Sequence, residues 1–280
     1  HWMGNTPVFV DVEPQSLTID PSKIDAAITD RTAAIMPLHC YGNTCDASAI
    51  DAIARKHRLP VIYDACHSFG VKDEGGSVFR HGDLAVVSFH ATKVFNTFEG
   101  GLLVCRSADK KQRVDQLKNF GFVDETSVVE PGINGKMSEF NAMLGIHQLN
   151  HMPKILEARA QRDQLYRQLL KDVSGIQCQR PIRQAQRNYA YFPIFVQDSF
   201  PLSRDELYLL LQENGIYGRR YFYPLISEFP MYADLPSSDN LELAAAFNAS
   251  RQVICLPLYP DLPMENIEAI CGYIAGVTRD

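Results

Sequence analysis

Three short stretches of this chain gather groups that could do chemistry on a small molecule. "SFHATKVFNTFEGG" begins at Ser88 and carries a lone lysine, Lys93, just past the apolar run "DLAVV". "VIYDACHSFG" closes an apolar run with Asp64 and presents His67 shortly after. "AAIMPLHCYGN" closes another with His39, followed by Tyr41 and Asn43. Taken singly, each has a plain reading. Asp64 would cap a turn, His67 would be a hydrogen-bonded structural histidine, and Lys93 would be a solvated charge. Together they specify something narrower: an amine, a carboxylate and a hydroxyl delivered to one crevice at the carboxyl ends of strands. That set suits pyridoxal phosphate. A lysine amine forms an imine with it, a carboxylate keeps its ring nitrogen protonated, and hydroxyls and amides hold its phosphate.

Those residues need elements to position them. The first half alternates apolar, β-branched runs with amphipathic helical patterns, and "PVFVDV", "AAIMPLH", "LPVIYD", "DLAVVSFH" and "GGLLVC" read as strands. Between them, "DPSKIDAAITD" places Pro21 in a first helical turn. "DASAIDAIARKH" offers Asp46 as N-cap, with Ile50, Ile53 and Ala54 on the inner face. Apolar strands spaced by helices predict an α/β fold with a mostly parallel sheet covered on both faces. The character changes near residue 151. "MPKILEARAQRDQLYRQLLKDV" reads as a long amphipathic helix with Leu156, Ala160, Leu165 and Leu169 among its apolar positions. "YAYFPIFV", the helix "SRDELYLLLQENG", "ASRQVICLPLY" and a last helix "PMENIEAICGYIAGV" follow. The expected organisation is a large domain over 1–150 and a smaller C-terminal α+β domain over 151–280.

Bulk properties narrow the function classes. A net charge of −6 over 280 residues argues against a sequence-independent grip on nucleic acid or on an anionic membrane. No apolar run approaches membrane-spanning length, and no basic-then-apolar leader opens the chain. The 7 cysteines are odd in number, scattered and without a C-x-x-C pair, which points to a reducing cytoplasm rather than a disulfide frame or a zinc site. The histidines are read as lacking the helical spacing of metal ligands. Neither G-x-G-x-x-G nor G-x-x-x-x-G-K-[ST] occurs, so dinucleotide and nucleoside-triphosphate readings lose ground.

The blocks also occur in a familiar order. "TPVFVDVEPQSLTIDPSKIDAAITDRTAAIMPLHCYGN", "VIYDACHSFG", "SFHATKVFNTFEGG", "GINGKMSEFNAMLGIHQL", "GRRYFYPL" and "ICLPLYPDLP" together resemble the DegT/DnrJ/EryC1/StrS sugar aminotransferases, which are fold-type-I pyridoxal-phosphate enzymes. The resemblance covers essentially the whole chain. It implies that Lys93 carries the cofactor and shuttles the proton, that Asp64 pairs with the ring nitrogen, and that Ser88 holds the phosphate. His67 stands where many members have Gln and would bond the ring hydroxyl. Asn134 would reach the phosphate of the neighbouring subunit, which implies a homodimer. Family dehydratases have histidine at the lysine position, so Lys93 favours transamination. Cys66 departs from the small alanine common beneath the ring.

The resemblance implies a nucleotide-linked keto sugar as substrate and glutamate as donor, within surface-polysaccharide (lipopolysaccharide O-antigen) or amino-sugar biosynthesis. Its closest look is to enzymes that aminate a dTDP-4-keto-6-deoxyhexose. It further implies a stretch ahead of His1 with a glycine-rich helix start and a ring-stacking aromatic, so weaker cofactor binding is expected of these 280 residues alone. Two rivals stay open: the same chemistry on a 3-keto or UDP- or GDP-linked sugar, and a catalytically silent binding or regulatory protein.

Overall fold

The computed structural model describes residues 1–277. The chain order is α1 (Pro21–Ala27), α2 (Ala47–His57), β1 (Ile62–Asp64), β2 (Lys72–Asp73), β3 (Gly76–Ser77), β4 (Leu84–Ser88), β5 (Gly101–Cys105) and α3 (Ala108–Leu117). Then come α4 (Glu139–Leu170), β6 (Ile176–Cys178), β7 (Phe192–Val196), α5 (Arg204–Glu213), α6 (Ala244–Gln252), β8 (Val253–Leu256) and α7 (Met264–Ala275). Local signals place several of these. Pro21 sits in the first turn of α1 behind the Asp20 cap, and Asp46 caps α2 by accepting the Ala49 amide at 3.0 Å. Ile50 and Ala54 are buried, with Ile53 packed partly beside them. Ser203 and Glu206 form a reciprocal capping box at the start of α5.

The sheet that carries the chemistry has the order β1-β4-β5. β1 runs parallel to β4, with Asp64 opposite Val86, whereas β5 returns antiparallel with Gly101 opposite Ser88. Isolated parallel bridges, Ile35 to Val61 and Leu38 to Asp64, extend it by one segment. The sheet is therefore mixed, because β4 and β5 are joined by the Lys93 turn and not by a crossover helix. The expected strand "PVFVDV" forms only one bridge, Val12 to Ile19, and most of it is half-buried. "AAIMPLH" likewise contributes bridges and no strand.

The larger correction concerns α4. It does not start near Met152 but at Glu139, capped by Ser138, which accepts the Asn141 amide at 3.2 Å. Pro153, which resembles a first-turn proline in the sequence, sits inside the helix. The helix thus crosses residue 151 without a break and serves two cores. Met152, Ile155 and Leu156 pack with Ile50, Tyr63, Ala85, Val87 and Phe95. Tyr166 and Leu170 pack with β7, β8, α5 and α7.

The second sheet, β6-β7-β8, is antiparallel throughout. Its β7 and β8 are buried at every position because both faces are covered. Phe192, Ile194 and Ile254 face the helices, while Phe195, Val253 and Cys255 pack on Leu17, Cys40 and Tyr41 of the first half.

Two buried carboxylates tie distant segments together. Asp163 on α4 is 2% exposed and receives both Arg167 (2.7 Å) and Arg187 (3.0 Å). Asp11 is also 2% exposed, and it accepts the first amides of α6, Ala245 at 3.2 Å and Ala246 at 2.9 Å, besides the Lys23 ammonium at 2.8 Å. α6 has no side-chain cap of its own, so Asp11 caps it from across the chain. Burial pushes the Asp11 carboxyl up, but Lys23 and the amides outweigh it and hold the pKa below its ordinary 3.8. Asp11→Ala is expected to lose about 1–2 kcal/mol at neutral pH, measured by urea unfolding. Because the folded pKa is depressed, this contribution is full above pH 3.8 and fades as pH falls through the folded value. The gap between the two proteins should close in acid. A gap that persists undiminished there would show that the carboxylate charge is not what stabilises α6.

Candidate active site

The structure puts Lys93 on a tightly held turn. Phe89 N–H donates to Gly100 O at 2.8 Å, Thr97 N–H to Phe89 O at 2.9 Å, and Lys93 N–H to His90 O at 2.9 Å. Val94 and Phe95 follow the lysine directly into the core, where Phe95 stacks on Phe69 with ring centroids 4.3 Å apart. α4 clamps the far end: Asn141 Nδ2 donates to Thr97 O at 2.6 Å. A Cβ at Gly145 would come within 3.0 Å of Thr97 Cγ2, so the small residue sets the approach of helix to turn. Lys93 itself is partly buried, and its side chain lines the cavities on both sides of the turn.

Asp64 ends β1 and bonds through its backbone on both sides, to Pro37 O at 2.9 Å and from His39 N–H at 3.1 Å. Its Oδ1 accepts the Cys66 amide at 3.0 Å. Burial, aided by the neighbouring Asp64 carboxylate, pushes the Cys66 thiol up to about 12, so it stays protonated. Ser88 stands at the end of β4, and its Oγ accepts the His90 amide at 3.2 Å.

His67 is buried and boxed by aromatic rings. Phe222 lies parallel to it at 5.4 Å with an interplanar angle of 4°, and Tyr191 meets it edge-on at 4.9 Å. Its Nδ1 accepts the Tyr41 amide at 3.3 Å, which leaves the proton on Nε2. Asn188 Nδ2 donates to His67 O at 2.8 Å. Gly42 makes this packing possible. It has φ +86°, and a Cβ there would lie 2.9 Å from Asn188 Oδ1 and 3.1 Å from His67 O. Burial, reinforced by the Lys93 ammonium and opposed in part by Asp64, pushes the His67 pKa down to about 4. A neutral ring with a fixed Nε2–H is a hydrogen-bond donor that does not change charge near neutrality.

Of the residues expected from sequence, Asp64, His67, Ser88 and Lys93 therefore share one neighbourhood. Asn134 does not join them. It is exposed on a separate loop, bridged to Asn119, and no hydrogen bond among the described residues links it to the others. His39 is wholly buried, stacked on Tyr63 at 4.8 Å, and belongs to the core rather than to the crevice. Tyr41 and Asn43 are buried too, Asn43 donating to Ser16 O at 3.0 Å.

One reading about histidine needs correction: His147 and His151 do have i,i+4 spacing on α4, with rings 4.7 Å apart. No cluster of three or more potential metal ligands occurs among the described residues. Sequence reasoning assigned no role to Tyr191, Asn188 or Phe222. Tyr191 and Phe222 lay within quoted stretches, but nothing local ties any of the three to His67.

The donor set fits pyridoxal phosphate. An amine, a carboxyl group, an imidazole N–H and a hydroxyl stand at or just beyond adjacent strand ends. Fold and site define a fold-type-I pyridoxal-phosphate-dependent transferase. The profile of the DegT/DnrJ/EryC1/StrS aminotransferase family matches residues 1–275, and the chain belongs to that family.

Over 274 residues it is 51% identical to a dTDP-4-amino-4,6-dideoxy-D-glucose transaminase of Shigella dysenteriae, covering 98% of this chain and 74% of the relative. An Escherichia coli protein of the same name is 45% identical over 278 residues, with the same coverage of each chain. The crystal structure of DesI in the presence of its TDP-sugar product superposes with a TM-score of 0.92 at 31% identity, covering 98% of this chain and 69% of DesI.

His39 and His67 share a pH signature. Burial, helped by nearby positive charge, pushes both well below their ordinary 6.5, to about 4. In the unfolded chain both take up a proton near 6.5, so stability is full above that pH and falls between 6.5 and about 4. Each histidine contributes a slope of up to about 1.4 kcal/mol per pH unit. Urea unfolding at stepped pH should show a shallower acid loss for His67→Gln than for the parent protein. Equal slopes would mean that His67 is not held neutral.

Proposed function

We propose that this chain transfers an amino group from glutamate to a dTDP-linked 4-keto-6-deoxyglucose, forming dTDP-4-amino-4,6-dideoxyglucose for surface-polysaccharide or amino-sugar synthesis. The observation that carries this reading is Lys93, presented on a clamped turn beside Asp64 and His67. The names of the two bacterial relatives support the sugar and the aminated carbon. When bound, pyridoxal phosphate supplies the carbonyl carbon that accepts the amine and the ring that draws off electrons.

The chain's own groups then have distinct tasks. Lys93 Nζ anchors the cofactor, then takes and returns the proton that moves between the two carbon atoms. Asp64 keeps a proton on the ring nitrogen, and it is fixed for this by the Cys66 amide. His67 donates from Nε2 to the ring oxygen, and the Phe222–Tyr191 box holds its plane. The Ser88 hydroxyl serves the phosphate.

In this reading the protein is a cytoplasmic homodimer built of a larger and a smaller domain, 1–150 and 151–280, and Asn134 reaches the phosphate of the partner. The exposed apolar side chains support association. Ile133 is 70% exposed, Phe140 67% and Ile146 69%, with Met143 and Leu149 on the same stretch. Apolar patches of this kind mark protein interfaces. Among the described residues no helix is long and apolar enough to cross a membrane.

Borohydride reduction of the protein incubated with pyridoxal phosphate, followed by peptide mapping, should place the label on Lys93. Label on another lysine would remove the assignment. A second test concerns the shared site. Lys93→Ala and Asn134→Ala chains, each inactive, are mixed under conditions where sedimentation shows subunit exchange. Hybrids carry one intact site, so an equal mixture should regain about a quarter of the parent rate. Hybrids that form without activity would show that Asn134 does not act across the interface.

A further inference from the structure

The stretch that leads into β7 carries a side chain that reaches across to the turn after β1. Asn188 is 2% exposed, and both polar ends of its amide are used. Nδ2 donates to His67 O at 2.8 Å and to Phe69 O at 3.0 Å, while Oδ1 accepts the Ala190 amide at 3.2 Å. An asparagine amide has two donor hydrogens, and both are spent on the carbonyls that flank Ser68. Asn188 lines the same small cavity as His67, Tyr191 and Lys93.

The same side chain touches two further segments that bear on the imidazole. A Cβ on Gly42 would lie 2.9 Å from Asn188 Oδ1, so the turn whose Tyr41 amide bonds His67 Nδ1 is fitted against Asn188. On the other side, the Oδ1 bond to Ala190 holds a bend over Tyr189, whose φ of +52° is left-handed and uncommon for a tyrosine. That bend delivers Tyr191 edge-on to the imidazole at 4.9 Å. The stretch is anchored from behind as well: Arg187 pairs with Asp163 at 3.0 Å, and Tyr189 O accepts Arg159 Nη1 at 3.0 Å. A buried polar group satisfied at each end rigidifies what it touches, and removing it leaves two carbonyls short of a donor.

We propose that Asn188 is a positioning residue, which fixes the plane of the His67 imidazole by holding the His67 turn, the Gly42 turn and the Tyr191 wall together. The step from a fixed ring to the cofactor's ring oxygen rests on the aminotransferase reading, whereas the fixing of the ring does not.

Nuclear magnetic resonance of cofactor-free protein with isotope-labelled histidine reports the ring directly. In the parent, His67 should hold the Nε2–H tautomer and titrate at about 4. In Asn188→Ala the ring should exchange between tautomers and titrate closer to 6.5, with its proton affinity raised about tenfold or more. Lys93 and Asp64, the charged groups that act on the ring, are untouched by this substitution. Asn188→Ser, which keeps an acceptor for the Ala190 amide but loses the paired donors, should behave alike and serves if the alanine variant does not fold. Ile267→Val on α7, a lesion of the second core, controls for lost stability and should leave the ring as in the parent. A ring that stays locked without Asn188, or one that loosens equally in Ile267→Val, would overturn the proposal. With cofactor, affinity for pyridoxal phosphate followed by absorbance should fall about tenfold in Asn188→Ala and in His67→Ala, and no further in the double variant. Additive losses would mean that Asn188 does not act through His67 and would overturn it too. A parent that takes up no cofactor would count against the aminotransferase reading alone, since the ring titration still decides the role of Asn188.

Discussion

The parallel register of β1 on β4 is the constraint on which the site depends. Pairing Asp64 with Val86 ends one strand just short of the other and leaves Ser88 beside Cys66. A slip of one residue would reverse the faces of β4, driving Ala85 and Val87 out of the core and Val86 into it. The hydrophobic core thus selects the register, and the register selects which polar groups meet. β5 reinforces the choice, because its antiparallel pairing returns the chain to Ser88 at Gly101 and fixes the span of the intervening turn. Gly101 lies so close that a Cβ there would meet Val87 O at 2.7 Å. The geometry of the candidate site is thus set by packing.

The second half of the chain completes that geometry from a distance. Residues 188–191 and 221–222 wall in His67, while Phe195, Val253 and Cys255 seat the smaller sheet on Tyr41. Tyr41 therefore works twice, since its amide orients the imidazole and its ring carries part of the contact between the two cores. Its hydroxyl also donates to Tyr221 O. Disturbing the smaller sheet would reach the imidazole through Tyr41 as well as through Tyr191, which directly precedes β7.

Much of this was legible in the sequence where the signal is local. Strand-end Asp64 and Ser88, the lysine just beyond, Pro21 in the first turn of α1, the Asp46 cap and the inner face of α2 all depend on residues close in the chain. The hidden parts are those decided by long-range partners. "PVFVDV" has the composition of a strand but finds one bridge, since pairing depends on neighbours as well as propensity. Pro153 imitates a helix start, yet packing along both halves of α4 carries the helix through it. His39 follows an apolar run just as the site residues do, but Tyr63 covers it. Arg159 falls in a helix rich in charged residues and reads as solvated until the loop at 258–261 is seen to bury it.

α4 is held at its two ends by different cores, which makes it a mechanical link as well as a packing element. A helix propagates order cheaply once formed but fails from a frayed end inward. Loosening of the core around Tyr166 and Leu170 would free the C-terminal turns and with them the ladder that supports Asn141 and Gly145 against Thr97. The two cores then melt as one cooperative unit, coupled by the helix, by the Tyr41 seam and by cross-ties such as Asp11 to α6 and Asn188 to His67 O. For the lysine turn the effect is a kind of insurance against partial states. A molecule that lost its smaller sheet would also lose the Asn141 brace behind Lys93.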